Sequence, residues 1–290
     1  MANLKEIRTR ITSVESTMQI TSAMKMVSAA KFKRAQNAIV QMRPFADKFN
    51  DILTNVSSTV DGNDHPLMGK KQGNNTLLIA VTSNRGLCGG FNSAVIKAIK
   101  KLINENANEN YQILPIGKKV FDAFKKTDLI AEKELLPKNT EKIWDDLNYD
   151  NSVSIINDII NSYGNGDFNQ ILIIYNSFKN AATQELVIEN FLPVEANEDN
   201  LKTSKIDYIF EPSKEDILSD LIPRSLKVKF YKALLDSFAS EHGARMTAMH
   251  KATDNASEMK KELTLFYNKA RQASITSEIL EIVAGAEALG

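Results

Sequence analysis

The stretch MHKATDNASEMKKELTLFYNKARQA (residues 249–273) places Met249, Ala252, Ala256, Met259, Leu263, Phe266, Ala270 and Ala273 at alternating spacings of three and four. Apolar residues recurring every 3.5 positions form the seam of a coiled coil rather than the broad apolar stripe of a globular helix. Upstream, Val228, Tyr231, Leu235 and Phe238 keep the same spacing, followed by the polar positions His242 and Arg245. Downstream, the phase shifts near residue 274 to Ile275, Ile279, Ile282, Ala286 and Leu289. No proline follows Pro223, and Gly243 is the only glycine between there and Gly285. Proline costs about 3 kcal/mol and glycine about 1 kcal/mol in a helix interior, so a stretch this free of both reads as one long helix.

The other end repeats the pattern. Residues 1–43 contain neither proline nor glycine, and Leu4, Ile7, Ile11, Val14 and Met18 again alternate steps of three and four. At about 1.5 Å per residue, a helix over 3–57 spans roughly 80 Å and one over 214–288 roughly 110 Å. Each seam needs a partner. The other long helix, returned antiparallel by whatever lies between, is the nearest one. Because the two differ in length, part of the C-terminal helix must project alone or meet another protein.

The middle has a different period. Thr76–Thr82, Tyr111–Ile116 and Gln170–Tyr175 are short apolar runs that read as buried strands, and Leu186–Leu192 reads as another at an edge. Helical patterns over 92–107, 118–126 and 149–163 separate them. Alternating strands and helices imply a mainly parallel sheet with crossover helices. The expected architecture is α/β plus a long coiled coil. An antiparallel two-helix coiled coil is built from both termini (1–58 and 212–290), with a Rossmann-like domain (76–205) inserted between them. Ser57–Asn75 and Pro193–Pro223 read as linkers.

Several function classes are excluded or weakened. The 290 residues carry 36 Lys plus Arg against 36 Asp plus Glu, and this neutrality argues against a general nucleic-acid binder. The longest apolar runs are about six residues, far short of the roughly 18 of a membrane span. The N-terminus enters a helical pattern with neither an apolar signal core nor a transit-like segment, and a single cysteine, Cys88, excludes an internal disulfide. Arg85-Gly-Leu-Cys-Gly-Gly-Phe-Asn92 follows a strand and opens a helix, where phosphates often bind. Its G-x-x-G-G spacing is not the dinucleotide fingerprint, and it reads as a tight turn packed on a helix start. Gly117-Lys118-Lys119 lacks the rest of a phosphate loop. Cys88 has no neighbouring base in sequence, and His242 and His250 are two turns apart rather than one, so neither a thiol nucleophile nor a metal site is expected. Asp145-Asp146 reads as solvated. No cofactor is implied.

Charge is uneven. Residues 1–43 hold eight Lys/Arg against two Asp/Glu, residues 44–223 hold 18 against 26, and residues 224–290 hold 10 against 8. The basic N-terminal helix, with Lys25, Lys31, Lys33 and Arg34 after Met24, is either a solvated face or a surface for an acidic protein, a nucleic acid or an anionic membrane. Few aromatics accompany these cations, which weakens the nucleic-acid option.

Both ends resemble one family. Ile275-Thr-Ser-Glu-Ile-Leu-Glu-Ile-Val-Ala-Gly-Ala-Glu-Ala288 is similar to the C-terminal signature I-T-x-E-x-x-E-x-x-x-G-A-x-A of the gamma subunits of F-type ATP synthases, with every fixed position present. Lys5–Arg8, Ile20–Val27, Arg245–Met249, Ala252–Ala256, Arg85–Asn92 and Asp207–Pro212 also look like that family, while 125–205 matches loosely. The resemblance implies a non-catalytic central-stalk rotor in a proton-translocating complex engaged in ATP synthesis and hydrogen ion transport. Its coiled coil would enter a ring of three alpha and three beta subunits, and its foot would sit with the epsilon subunit on the c ring. It further implies that Met24, Lys25, Lys31, Lys33 and Arg34 meet an acidic loop of the beta subunits. Arg271 and Gln272 would meet ring loops, Thr276, Glu278 and Glu281 would face the N-terminal helix or the ring, and Tyr208 and Glu211 would lie near the c ring. A peripheral position on the cytoplasmic face of a bacterial inner membrane is the simplest location. The rival readings are a Rossmann-like enzyme that oligomerises through its coiled coil, and a structural adaptor that forms a homodimer.

Overall fold

The computed structural model describes residues 4–57, 66–69, 71–106, 108–132, 134, 136–180, 183–194 and 214–288. The element order is α1 (Leu4–Ser57), β1 (Asn75–Val81), α2 (Phe91–Glu105), β2 (Asn110–Ile116), α3 (Lys118–Phe124), a 3-10 turn (Thr140–Trp144), α4 (Tyr149–Gly164), β3 (Gln170–Phe178), β4 (Gln184–Leu192) and α5 (Lys214–Glu287). The chain divides into two compact units, one of residues 1–29 with 245–290 and one of residues 30–244.

In the larger unit the strands lie in the order β2-β1-β3-β4, with β1 parallel to both β2 and β3 and β4 antiparallel on β3. Strands buried on both faces read as continuous apolar runs, which is why Leu77–Val81 carries no polar residue. Their alternation divides the core. Leu77, Ile79 and Val81 pack with Ile156, Ile159 and Tyr163 of α4 and with Leu218, Ile222, Phe230 and Leu234 of α5. Leu78 and Ala80 face the other way, onto Val95 and Ile99 of α2 and Val120 and Phe124 of α3. Burying one such side chain contributes about 1.5–3 kcal/mol.

Gly117 makes the turn from β2 into α3 possible. Its φ is +117°, and a Cβ there would stand 2.0 Å from the Thr82 carbonyl oxygen. The α5 helix is tied to the sheet by polar contacts as well. Lys229 Nζ donates to the Asn190 carbonyl at 2.9 Å and lies 3.6 Å from Glu189, whose carboxylate accepts from the Tyr175 hydroxyl at 2.9 Å. Burial, and then the Glu189 charge, push the Tyr175 hydroxyl pKa well up. Within this unit Ala35 and Ile39 of α1 pack on Leu235 and Ala239 of α5. Pro223, read as the end of a linker, lies inside α5, which starts at Lys214.

The smaller unit is a pair of helices. On α1, Ile7, Thr21 and Ser28 are buried, and Ile11, Val14, Met18 and Lys25 are half-buried between them. That extends the alternating three-four seam beyond its apolar part. On α5 the contacting face differs from the apolar reading. Met249 and Ala256 are buried, but Met259 and Phe266 are each 51% exposed, while Lys260, Leu263 and Tyr267 are half-buried. The facing residues account for the difference. Lys260 Nζ reaches Glu15 at 2.8 Å, and the hydroxyls of Thr253 and Thr21 hydrogen-bond at 2.9 Å. A lysine can bury its stem in a seam while its ammonium meets a carboxylate at the rim.

Candidate partner-binding surface

In an open α/β sheet, ligands bind beyond the carboxyl ends of the strands where the order reverses, here between β1 and β3. The chain's own atoms occupy this crevice. Asn176 of β3 is buried and donates from its amide nitrogen to the Phe91 carbonyl at 3.1 Å. Cys88, Phe91 and Ala244 of α5 form one buried cluster. The Arg85–Asn92 turn is closed from within. Asn92 Oδ1 accepts from the Ser83 amide at 3.0 Å, Asn92 Nδ2 lies 3.1 Å from Cys88 Sγ, and Ser83 Oγ donates to the Arg85 carbonyl at 2.6 Å. The glycines of this motif therefore serve a packed turn, and its thiol is buried.

The histidines are dispersed. His242 is buried, with its ring edge-on to Phe238 at 4.5 Å, and His250 is exposed beside Asp254 at 3.3 Å. His65 lies outside the described residues. Among the described residues no group of three or more His, Cys, Asp or Glu side chains could hold a metal ion, and no helix is long and apolar enough to cross a membrane.

The distinctive surface is at the end of α5. In the smaller unit the residue numbers of facing pairs add to 274 or 275, as for Thr21 with Thr253 and Glu15 with Lys260. Met259 and Leu263 accordingly border a hollow with Thr9, Arg10, Ser13 and Val14. Carried forward, this register sets Leu4, the first described residue of α1, opposite about residue 270. The phase shift in the sequence falls just beyond that point, near residue 274. Past it, Ile275, Ile279, Leu280, Ile282 and Val283 are all exposed, Ile282 to 72%. No Lys or Arg occurs after Arg271, whereas Glu278, Glu281 and Glu287 do. Contiguous exposed apolar side chains of this kind mark an interaction surface.

Arg271, Gln272, Thr276, Glu278 and Glu281 are all exposed on α5. Thr276, Glu278 and Glu281 lie beyond the stretch of α5 that the described residues of α1 face in this register. On α1, Met24 and Lys25 are half-buried, and Lys31, Lys33 and Arg34 are exposed. Tyr208 and Glu211 lie outside the described residues. Reading the seam alone missed the exposed off-seam apolar residues Ile20, Met26, Val27, Leu265, Leu280 and Val283. Their signal was available, since an apolar residue off a coiled-coil seam has no partner within the coil.

A family model described as ATP synthase matches residues 3–289. The chain is 54% identical over 290 residues to an ATP synthase gamma chain of Flavobacterium psychrophilum, covering 100% of this chain and 99% of that one. It is 43% identical over 291 residues to an ATP synthase gamma chain of Geotalea daltonii, with the same coverage. Among solved structures it resembles a chain of the central stalk and c-ring of Tetrahymena thermophila mitochondrial ATP synthase, at 26% identity and a TM-score of 0.57, covering 80% of this chain and 99% of that one. A chain of Euglena gracilis mitochondrial ATP synthase shares the fold at 20% identity and a TM-score of 0.64, covering 99% and 94%.

Proposed function

The chain belongs to the ATP synthase gamma-chain family, and on that premise we propose that its bare α5 end is the rotor surface that meets the catalytic ring. A gamma chain is a non-catalytic subunit, the central-stalk rotor of a membrane-associated complex. The partners are three alpha and three beta subunits around the paired helices, and the epsilon subunit and c ring at the sheet unit. The working location is the cytoplasmic face of a bacterial inner membrane.

The observation that carries this reading is the run of exposed apolar residues from Ile275 to Val283, past the stretch of α5 that the described residues of α1 face. Ile275, Ile279, Ile282 and Val283 share one side of the helix, with Glu278 at its border and Glu281 beyond it. A turning helix with unlike sides presents each surrounding site with apolar and carboxylate surface in succession. A ligand shifts a conformational equilibrium only by its differential affinity for the two states, and such a rotor is a ligand whose affinity depends on angle. The basic residues Lys25, Lys31, Lys33 and Arg34 would add weak, screened contacts of about 0.2–1 kcal/mol each to an acidic loop of the beta subunits. Arg271 and Gln272 would touch ring loops, and Tyr208 and Glu211 the c ring.

Reconstitution with alpha and beta subunits tests the proposal. Ile275→Asp with Ile279→Asp is expected to leave the isolated chain folded and to prevent or uncouple assembly with the ring. Normal assembly and coupled ATP synthesis by this variant would overturn it.

A further inference from the structure

The sheet unit separates charge across its own sheet. On the side covered by α2 and α3, residues 91–128 carry seven lysines and four acids. The segment 132–169, whose helix α4 packs on the other side, carries three lysines and eight acids, of which Glu132, Glu134 and Glu141 come round to border Lys118. The lysine face is built from two helices that share one core. Val95 and Ile99 of α2 and Val120 and Phe124 of α3 turn inward together, which turns Lys97, Lys100, Lys101, Lys118 and Lys125 outward to solvent, with Lys126 following. Lys101 lies 3.7 Å from Glu105, and Lys125 donates to Asp122 at 2.9 Å. Lys97, Lys100, Lys118, Lys119 and Lys126 have no acidic partner among the described residues. The carboxyl of Asp122, hydrogen-bonded to Lys125 and flanked by Lys118 and Lys119, has its pKa held below the usual value. It reports a positive local field on a domain whose sequence is otherwise acidic.

We propose that the α2–α3 lysine face is an electrostatic contact surface for anionic lipid headgroups. This rests on the reading of the sheet unit as the rotor's foot near a membrane. Two features of the face select lipid over a discrete acidic site. Every cation on these two helices is lysine, a point charge on a flexible stem, rather than the arginine fork that grips single carboxylates or phosphates in pairs. The charges are also spread over two helix faces, and the hollow that Lys118 and the exposed Phe121 border also holds Glu132, Glu134 and Glu141, carboxylates that disfavour a discrete acidic ligand there. For a rotor the difference matters. A ring of lipid charge is the same at every angle and holds the foot down without favouring any orientation. A fixed acidic patch on a static subunit would instead create an angular well to be climbed on each revolution.

Vesicle sedimentation of the purified full chain tests this, using phosphatidylcholine with and without phosphatidylglycerol. Binding is expected only to the phosphatidylglycerol vesicles and to weaken as salt shortens the Debye length. The variant K97E/K100E/K118E/K125E is expected to lose at least about a hundredfold in apparent affinity, since each lysine near an anionic surface contributes close to a factor of five. The variant K25E/K31E/K33E/R34E makes the same change in net charge on α1 and is expected to stay within about threefold of the original chain. Replacing the four face lysines by Gln controls for misfolding, with fluorescence of the only tryptophan, Trp144, as the check. Equal losses in the two reversal variants would mean that net charge alone is read. Binding to polyglutamate but not to vesicles would assign the face to an acidic protein. Either result, or indifference to phosphatidylglycerol, overturns the proposal. The rotor reading is tested in the assembled complex and this one on the chain alone, so each can fail separately.

Discussion

The sheet unit and the helix pair bury their apolar residues to different degrees. In the sheet unit every side chain from Leu77 to Val81 is fully covered, and both faces of the sheet have helices upon them. In the helix pair the buried positions include Thr21, Ser28 and Arg245, while Ile275, Ile279, Leu280 and Ile282 remain in solvent. The sheet unit buries its central strands completely, although Phe121 and Ile188 stay exposed at its rim, whereas the helix pair leaves a run of apolar residues uncovered by the described residues. A residue of the same chemistry therefore has different work in the two places. An isoleucine holds the fold together in β1 and stands in solvent at the end of α5.

The sharpest way to break this comparison is to cut the same residue type in both units. Ile79→Ala opens a cavity in a fully buried strand and is expected to cost about 2–5 kcal/mol, read from denaturant unfolding followed through Trp144. Ile279→Ala removes an exposed side chain and is expected to stay within about 0.5 kcal/mol in the same measurement. Similar losses at the two sites would show that the end of α5 is covered within the chain itself.

A smaller effect is expected at the seam. In a double-mutant cycle, Glu15→Gln and Lys260→Gln should couple by about 0.2–1 kcal/mol and lose that coupling at high salt, because the pair is only partly buried. A coupling of zero would mean that Lys260 occupies the seam through its stem alone. Next comes alkaline pH. Burial, then Glu109, pushes the Tyr111 hydroxyl up to about 12, and Tyr175 is raised as well. A raised acid contributes stability that is present below its unfolded pKa of about 10 and is lost as pH rises through the folded value. Tyr175→Phe should therefore flatten the decline in stability above that point in a urea titration at several pH values. The smallest effect is expected from Cys88→Ser. The new hydroxyl can still accept from Asn92, and ATP synthesis by the assembled complex should stay near normal.

The strands were legible because apolar runs bounded by turn residues have few other uses, and β4 read as an edge strand because Glu189-Asn190 interrupts its apolar run, while its antiparallel direction could not be read from the run itself. The two long helices were legible from the absence of breakers. Pro223 was read both as the end of a linker and inside a helix over 214–288; the helix continues through it, with Leu218, Ile222 and Leu226 packing on the sheet. The choice of Lys260 and Tyr267 over Met259 and Phe266 could not be read from one helix, since it depends on which residues of α1 stand opposite. The filled crevice was likewise invisible, because Asn176, Phe91 and Ala244 come from three distant parts of the chain.

The constant register of the helix pair has a consequence for how such a chain can change length over time. Thr21 stays opposite Thr253, and Glu15 opposite Lys260, only while the stretches between those contacts stay matched to within a residue. A deletion in one helix would slide every later pair out of step, and a loss that is not a multiple of seven would also turn the seam away from its partner. Viable insertions and deletions in this region should therefore come as matched pairs, one in each helix and usually a whole heptad long. The end of α5 beyond residue 274 is under no such pairing and, if it is the surface proposed above, answers to a different clock, set by its partner.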